Sequence, residues 1–163
     1  NPVADLSLTQ AETRVCPASV RPAIFKLGNN LHYMKAWREA KNRGADNAIM
    51  LTCDGVISET ATGNLFWLNG KTIYTPDESC DILPGVMRSI CFELVREIPG
   101  LKIETGRYQP GDLYRADHLW MTNSVVGILP VKSLDNFTYK TQGPLYSSLF
   151  ERFKKYKTWH LKA

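Results

Sequence analysis

A lysine and a glutamate in the first half of the chain have the types and surroundings needed for covalent or acid–base chemistry. Lys26 lies inside the apolar sequence IFKL. Apolar neighbours remove water from an amine, which lowers its pKa and makes it a nucleophile toward carbonyl groups. The local sequence alone favours a simpler alternative, a surface lysine whose stem covers apolar residues. Glu59 lies in ISETATGNLFW, a sequence typical of strands. A buried carboxylate there needs a partner, whereas an outward-facing one does not.

Two short motifs have the composition of anion-binding sites. In LPGVM, Gly85 lets the backbone approach a ligand, and the N–H groups of Val86 and Met87 are free at the start of a predicted helix. Asn123 and Ser124 follow a predicted strand and could offer donors to a phosphate. Each motif alone is weak evidence, and the simpler interpretation is an ordinary helix start or a polar turn. Together with the lysine and the glutamate, they form the set of groups that pyridoxal 5′-phosphate requires.

The elements that would position these groups are short strands and three main helices. Alternation and turn signals predict strands at 5–15, 47–53, 56–60, 64–68, 71–75, 102–105, 118–122 and 128–134. Helical spacing predicts helices at 29–44, 86–98 and 143–160, with a short one at 110–116 and a loop at 77–85. Asn69-Gly70 is the strongest hairpin signal. These elements predict one α+β domain with a mixed, mostly antiparallel sheet and flanking helices.

Three stripes of apolar residues indicate how the helices would pack. The first helix has Leu31, Met34, Trp37 and Ala40 along one side. The second has Val86, Ile90, Leu94 and Ile98 at steps of four, with Cys91 and Val95 beside them. The last directs Leu145, Leu149, Phe153 and Tyr156 inward. Its lysines and arginine are typical of a solvated helix face rather than of a nucleic-acid site.

Composition limits the classes of protein to which the chain could belong. It has 163 residues, of which 44% are hydrophobic and 22% charged, as in one soluble globular domain. A net charge of +4 is too small to predict nucleic-acid binding, and no apolar run is long enough to span a membrane. Four scattered cysteines form no CxxC pair, so we expect no metal site. No secretory leader is visible, and we expect reduced thiols and a cytoplasmic location.

Four longer stretches, in order along the chain, resemble the fold-type IV pyridoxal-phosphate enzymes, the aminotransferase class IV family. They are KLGNNLHYMKAWREAKNRGADNAIML, GVISETATGNLFWLNGKTIYTP, ILPGVMRSICFELV and LYRADHLWMTNSVVGILPV. Several long motifs in the right order are far more specific than any one of them. The resemblance implies the C-terminal domain of that family, a pseudo-barrel of mixed, mostly antiparallel strands with flanking helices.

The resemblance also implies roles for individual residues. Lys26 matches the lysine that binds pyridoxal phosphate as a Schiff base, and Glu59 matches the acid that pairs with its pyridine nitrogen. Leu83 matches the leucine that packs on the cofactor ring. Leu31 stands where the branched-chain group has a tyrosine, so no contact to the ring hydroxyl is expected there. The phosphate-binding positions of the family match five residues: Gly85, Val86, Met87, Asn123 and Ser124.

The resemblance implies a pyridoxal-phosphate-dependent enzyme that acts on a small amino substrate. The sequences TNSVVGILPV, NLFW and GVMR most resemble the corresponding sequences of members with aminodeoxychorismate lyase activity. Those members release pyruvate and leave 4-aminobenzoate for folate synthesis. A branched-chain or D-amino-acid aminotransferase is the alternative, and a non-catalytic remnant domain is a further one. Homodimers are expected for the complete protein.

Family members carry an N-terminal domain before the matching stretch. It supplies an arginine to the phosphate, part of the substrate pocket and much of the dimer contact. We therefore expect residues 1–25 to be a strand and an interdomain linker, and residues 26–163 to be the C-terminal domain. The missing N-terminal domain or a partner chain would complete the site.

Overall fold

The computed structural model describes residues 5–23 and 25–160, except for the side chains at positions 145, 146 and 157–160. Within this part of the chain there are nine strands, β1 (Leu6–Gln10), β2 (Asn47–Leu51), β3 (Ile57–Thr60), β4 (Asn64–Asn69), β5 (Thr72–Pro76), β6 (Lys102–Gly106), β7 (His118–Asn123), β8 (Gly127–Leu134) and β9 (Phe137–Thr138). The α-helices are α1 (Leu31–Asn42), α2 (Val86–Arg96) and α3 (Pro144–His160). Short 3₁₀ helices cover Glu78–Cys80, inside the predicted loop, and Pro110–Arg115.

All described strands join one curled sheet that forms a half-barrel. Their order is β3-β2-β1-β8-β7-β4-β5-β6, and β9 pairs with β8. β1 runs parallel to β2 and to β8, and β5 runs parallel to β6, whereas the other pairs are antiparallel. The predicted mixed, mostly antiparallel sheet is confirmed. β1 lies inside this sheet, so residues 6–10 share a hydrogen-bonded layer with the rest of the fold.

Strand β4, which lies between β7 and β5, is buried on both faces and separates two clusters of the core. Leu65 and Trp67 belong to a cluster on one face of the sheet, and Phe66 and Leu68 belong to a second cluster beneath α2 and α3. Phe66 stacks on Trp120 of β7, with ring centroids 5.8 Å apart. Apolar side chains on both faces of a strand explain why β4 reads as a continuous hydrophobic run rather than as an alternating one.

Helix α2 packs much as its spacing predicts, with one exception. Cys91, Leu94, Val95 and Ile98 are buried in the second cluster. Val86 is 66% exposed, so its assignment to the packed stripe was wrong. It is the first residue of α2 and lines an open cleft.

Helix α3 packs on the same cluster as α2. Leu149 is buried, and Phe153 and Tyr156 are partly buried against it, as predicted. Leu145 falls outside the described side chains. None of the described helices is long and apolar enough to cross a bilayer.

Helix α1 presents a different face to the sheet from the one that its large apolar residues mark. Ala40, the last residue of the predicted stripe, is buried as predicted, together with Ala36, and Tyr33 is partly buried beside them. Leu31 and Met34 are 72% and 64% exposed. Small alanines let the helix approach the strands closely, so the bulky stripe is left facing outward. It lines the cleft described next.

The remaining local predictions hold with small changes of length. β1 ends at Gln10 rather than at residue 15, although Ala11 and Val15 still donate backbone hydrogen bonds to β2. The Asn69-Gly70 turn joins β4 to β5 as predicted, and Gly70 takes the positive φ of 60° that such a turn favours.

Candidate functional site

One cleft of about 780 Å³ opens between the start of α1, the β3–β4 turn, the start of α2 and the end of β7. It is lined by every residue that the sequence singles out for the site: Lys26, Glu59, Leu83, Gly85, Val86, Met87, Asn123 and Ser124. These residues come from four separate parts of the chain. The fold therefore brings the predicted lysine, carboxylate, helix start and turn into one place.

The Glu59 carboxylate is the most deeply buried charged group of the cleft. The residue is 3% exposed and lies in β3. Its Oε1 accepts hydrogen bonds from the Tyr33 hydroxyl at 2.5 Å and from the Leu83 N–H at 3.2 Å. Its Oε2 accepts one from Asn64 Nδ2 at 3.0 Å. The partners that a buried carboxylate needs are present, which excludes the outward-facing alternative.

Burial raises the pKa of Glu59 to about 7, because an ionised carboxylate loses its hydration in this position. The hydrogen bonds from Tyr33 and Leu83, together with the charges of Arg21 and Arg88, oppose this rise. The carboxyl therefore changes its charge near neutral pH. A nearby cation would favour the ionised form further.

Asn64 was missed by the sequence reasoning, although it links two parts of the cleft. Its Nδ2 donates to Glu59 and, at 2.7 Å, to the backbone oxygen of Leu83. A single amide thus connects the buried carboxylate with the loop that leads into α2. The signal that could have identified Asn64 was its position at the start of β4, one turn after Glu59 in β3.

Tyr33 was also missed. It lies on the face of α1 that turns toward the sheet, whereas the sequence reasoning followed the stripe of Leu31 and Met34. Burial and the neighbouring Glu59 raise the pKa of its hydroxyl, so the group stays protonated and donates. Helical spacing from Ala36 and Ala40 would have placed it on the inner face.

The start of α2 has the form of an anion site. Gly85 is the N-cap, and no side chain caps the helix there. The N–H groups of the first turn, including those of Val86 and Met87, have no partner within the helix. A Cβ at Gly85 would lie 2.3 Å from Asn64 Oδ1. Gly85 is therefore required for the close approach between this loop and Asn64.

The turn after β7 is held by its own asparagine. Asn123 Oδ1 accepts from the N–H groups of Val125 and Val126, and its Nδ2 donates to the Thr62 carbonyl oxygen. The side chain of Asn123 is thus occupied in shaping the turn. Ser124 is exposed at the cleft, and the Thr122 hydroxyl is buried with no partner among the described residues.

Lys26 lines the cleft but lies on an exposed segment before α1. Its neighbours Phe25 and Leu27 are 55% and 40% exposed, and Ile24 falls outside the described residues. Neighbours as exposed as these do not enclose the amine, so the described residues of this segment agree with the alternative of a surface lysine.

The cysteines form no disulfide with one another. Across residues 5–23 and 25–160, no group of three or more His, Cys, Asp or Glu side chains is placed to hold a metal ion. The polar groups of the cleft are an amine, a carboxylate, amides and hydroxyls, with Arg21, Lys35 and Arg38 also on its walls.

The sequence model of the amino-transferase class IV family matches residues 2–134. The chain belongs to the amino-transferase class IV family. Among curated relatives, this class IV chain is 40% identical over 132 residues to an aminodeoxychorismate lyase of Bacillus subtilis, covering 80% of the chain and 45% of that protein. It is 30% identical over 129 residues to a branched-chain-amino-acid aminotransferase of Escherichia coli, covering 79% of the chain and 41% of that protein.

A solved structure extends the similarity to the fold. The branched-chain aminotransferase of Thermobaculum terrenum, in its pyridoxal-phosphate form, superposes with a TM-score of 0.89 at 25% identity, over 95% of this chain and 52% of that one. Pyridoxal phosphate is thus a cofactor of the family. The class IV chain spans about half the length of the relatives that it matches.

Proposed function

We propose that this class IV chain carries the cofactor-binding half of a pyridoxal-phosphate-dependent enzyme, with residues 26–163 as its C-terminal domain. The observation that carries the proposal is the buried, triply hydrogen-bonded Glu59 carboxylate in the cleft that Lys26 also lines. A buried carboxylate poised near neutral pH is suited to pairing with a ring nitrogen that must stay protonated.

The polar groups of the cleft fit this cofactor. The uncapped start of α2 offers backbone donors and the positive end of a helix dipole to a phosphate. Two buried polar atoms at the cleft lack partners among the described residues, Thr122 Oγ1 and Arg21 Nε. Gly85 leaves the approach to the helix start open, since a side chain there would meet Asn64.

Each residue would have a separate task. When bound, pyridoxal phosphate supplies an aldehyde for amino groups and a ring that accepts electron density. Lys26 Nζ would bind that aldehyde and move a proton to and from the substrate. Glu59 would hold negative charge beside the ring nitrogen, and Leu83 would pack on the ring. The N–H groups of Val86 and Met87 would hold the phosphate.

For the whole protein, we propose lyase activity on aminodeoxychorismate, the reaction in which pyruvate is released and 4-aminobenzoate remains. The 40% identity to the Bacillus subtilis lyase supports this assignment over transamination. Transamination of a branched-chain or D-amino acid is the second candidate, favoured by the 30% identity to the Escherichia coli aminotransferase and by the structural match.

Completion of the site by further protein is part of the same proposal. The cleft is bordered by exposed apolar side chains, Leu31, Met34 and Trp37 on α1 and Val86 and Val125 beside it. A contiguous apolar surface of this kind is typical of an interface. An N-terminal domain, and a second copy in a homodimer, are the partners that we assign to it.

The proposal is tested by titrating the complete protein, with its N-terminal domain, with pyridoxal phosphate and assaying pyruvate release from aminodeoxychorismate. We expect cofactor absorbance and pyruvate release for the parent, and loss of both the lysine-linked absorbance and turnover in Lys26→Ala. The control is Lys71→Ala, at an exposed lysine between β4 and β5. Keto-acid formation without pyruvate would select the aminotransferase instead. Absence of lysine-linked absorbance in the parent would overturn the proposal.

A further inference from the structure

The Tyr33 hydroxyl makes the shortest hydrogen bond to Glu59, and a guanidinium lies beside its ring. The Tyr33 hydroxyl is 2.5 Å from Glu59 Oε1. The Arg21 guanidinium carbon lies 5.6 Å from the centroid of the Tyr33 ring. These residues come from α1 and from the connector after β1, so two segments outside β3 converge on its carboxylate.

We propose that Tyr33, with Arg21 beside it, is the positioning residue that favours the ionised form of the Glu59 carboxyl and fixes its orientation toward the cleft. This inference rests on the proposed function, in which Glu59 pairs with the ring nitrogen of the cofactor. Tyr33 acts through Glu59. A hydrogen bond from a protonated phenol favours the charged carboxylate over the neutral acid, because the bond to a charged acceptor oxygen is stronger than the bond to a neutral one.

The groups that face Glu59 come from each element packed against it. Tyr33 faces it from α1, Asn64 from β4 and the Leu83 N–H from the loop before α2. Arg21 and Arg88 add positive charge from the connector and from α2. Arg88 is anchored elsewhere, since it donates to the Pro76 carbonyl oxygen and lies over the Phe92 ring.

Among the described residues that face Glu59, Tyr33 therefore combines a side-chain hydrogen bond to the carboxylate with a cation beside its own ring. Burial raises the pKa of its own hydroxyl, so it remains a donor over the whole range in which Glu59 titrates. Removal of the hydroxyl leaves Glu59 with two hydrogen-bond donors, Asn64 Nδ2 and the Leu83 N–H.

The experiment is a carbon NMR titration of the Glu59 carboxyl in cofactor-free protein, with the resonance assigned by its absence in Glu59→Gln. A hydrogen bond to a charged group corresponds to about a 10- to 100-fold change in an ionisation equilibrium. We expect Tyr33→Phe to raise the ratio of protonated to ionised Glu59 at a given pH by about that factor. The matched control is Tyr139→Phe, which removes another buried hydroxyl whose hydrogen bond goes to the Leu113 carbonyl oxygen.

Two variants of Arg21 keep the test decisive if Tyr33→Phe fails to fold. Arg21→Met should shift the Glu59 titration in the same direction by a smaller factor, and Arg21→Lys should restore most of it. Unchanged titration of Glu59 in both Tyr33→Phe and Arg21→Met would overturn the proposal. This outcome would leave cofactor binding untouched, whereas absence of cofactor binding in the complete protein would count against the proposed function alone.

Discussion

Replacement of Glu59 by glutamine should change how the stability of the protein depends on pH. Burial raises the pKa of this carboxyl from 4.5 to about 7, so between these values the native state holds a proton that the unfolded chain has released. Stability of the parent therefore falls as the pH rises through this window. At about 1.36 kcal/mol for each tenfold change, the effect amounts to roughly 3 kcal/mol in total.

The glutamine variant lacks this titration but alters one hydrogen bond. A glutamine oxygen can still accept from Tyr33 and from the Leu83 N–H, which both meet Oε1. The amide nitrogen would stand at Oε2, where Asn64 Nδ2 already points as a donor. That contact between two donors costs about 1–3 kcal/mol at every pH. The pH dependence, rather than the absolute stability, is thus the diagnostic quantity.

Urea unfolding of the cofactor-free parent and of Glu59→Gln, at several pH values between about 4 and about 8, measures the difference in their free energies of unfolding. We expect the variant to gain roughly 3 kcal/mol relative to the parent between the low and the high end. Glu93→Gln, at an exposed carboxylate on α2, is the control and should show little change. A difference between Glu59→Gln and parent that stays constant with pH would refute the buried, proton-binding carboxyl.

Three further predictions concern the rest of the cleft. Lys26→Ala should abolish turnover of the complete protein while its circular dichroism is retained; turnover above one tenth of the parent rate, roughly 1.4 kcal/mol in barrier, would contradict its role. Gly85→Ala should weaken binding of pyridoxal phosphate and lower the free energy of unfolding in chemical denaturation by about 1–3 kcal/mol, because the added Cβ meets Asn64 Oδ1. Gly111→Ala is the control and should do neither, since a Cβ there has no atom within 4 Å. The 163-residue chain alone should bind pyridoxal phosphate weakly in an absorbance titration and show no useful turnover, since the donors of the α2 start and the β7 turn are neutral; tight stoichiometric binding with turnover would contradict this.

Local signals predicted most elements because the information lies within a few residues. The Asn69-Gly70 turn and the spacing of Leu94 and Ile98 needed no distant contact to be read. The parallel pairing of β1 with β2 and β8 could not be read in this way, since it depends on segments far apart in sequence. Strand pairing of that kind is set by packing rather than by local propensity.

The inner face of α1 shows why the sequence misled at the site. Leu31 and Met34 have the size and spacing of core residues, yet they border a cleft and stay exposed. The face that packs is marked only by Ala36 and Ala40, with Tyr33 beside them. A surface intended for a ligand or another domain has the same apolar composition as a core, so hydrophobic spacing cannot separate the two.

The central claim is that Lys26 is the residue to which the cofactor becomes attached. Borohydride reduction of the complete protein with pyridoxal phosphate, followed by peptide mapping, tests it most directly. We predict a single pyridoxyl label on the peptide that contains Lys26, and no label in Lys26→Ala. A label on another lysine, such as Lys35 on the wall of the cleft or Lys71 between β4 and β5, would contradict the account.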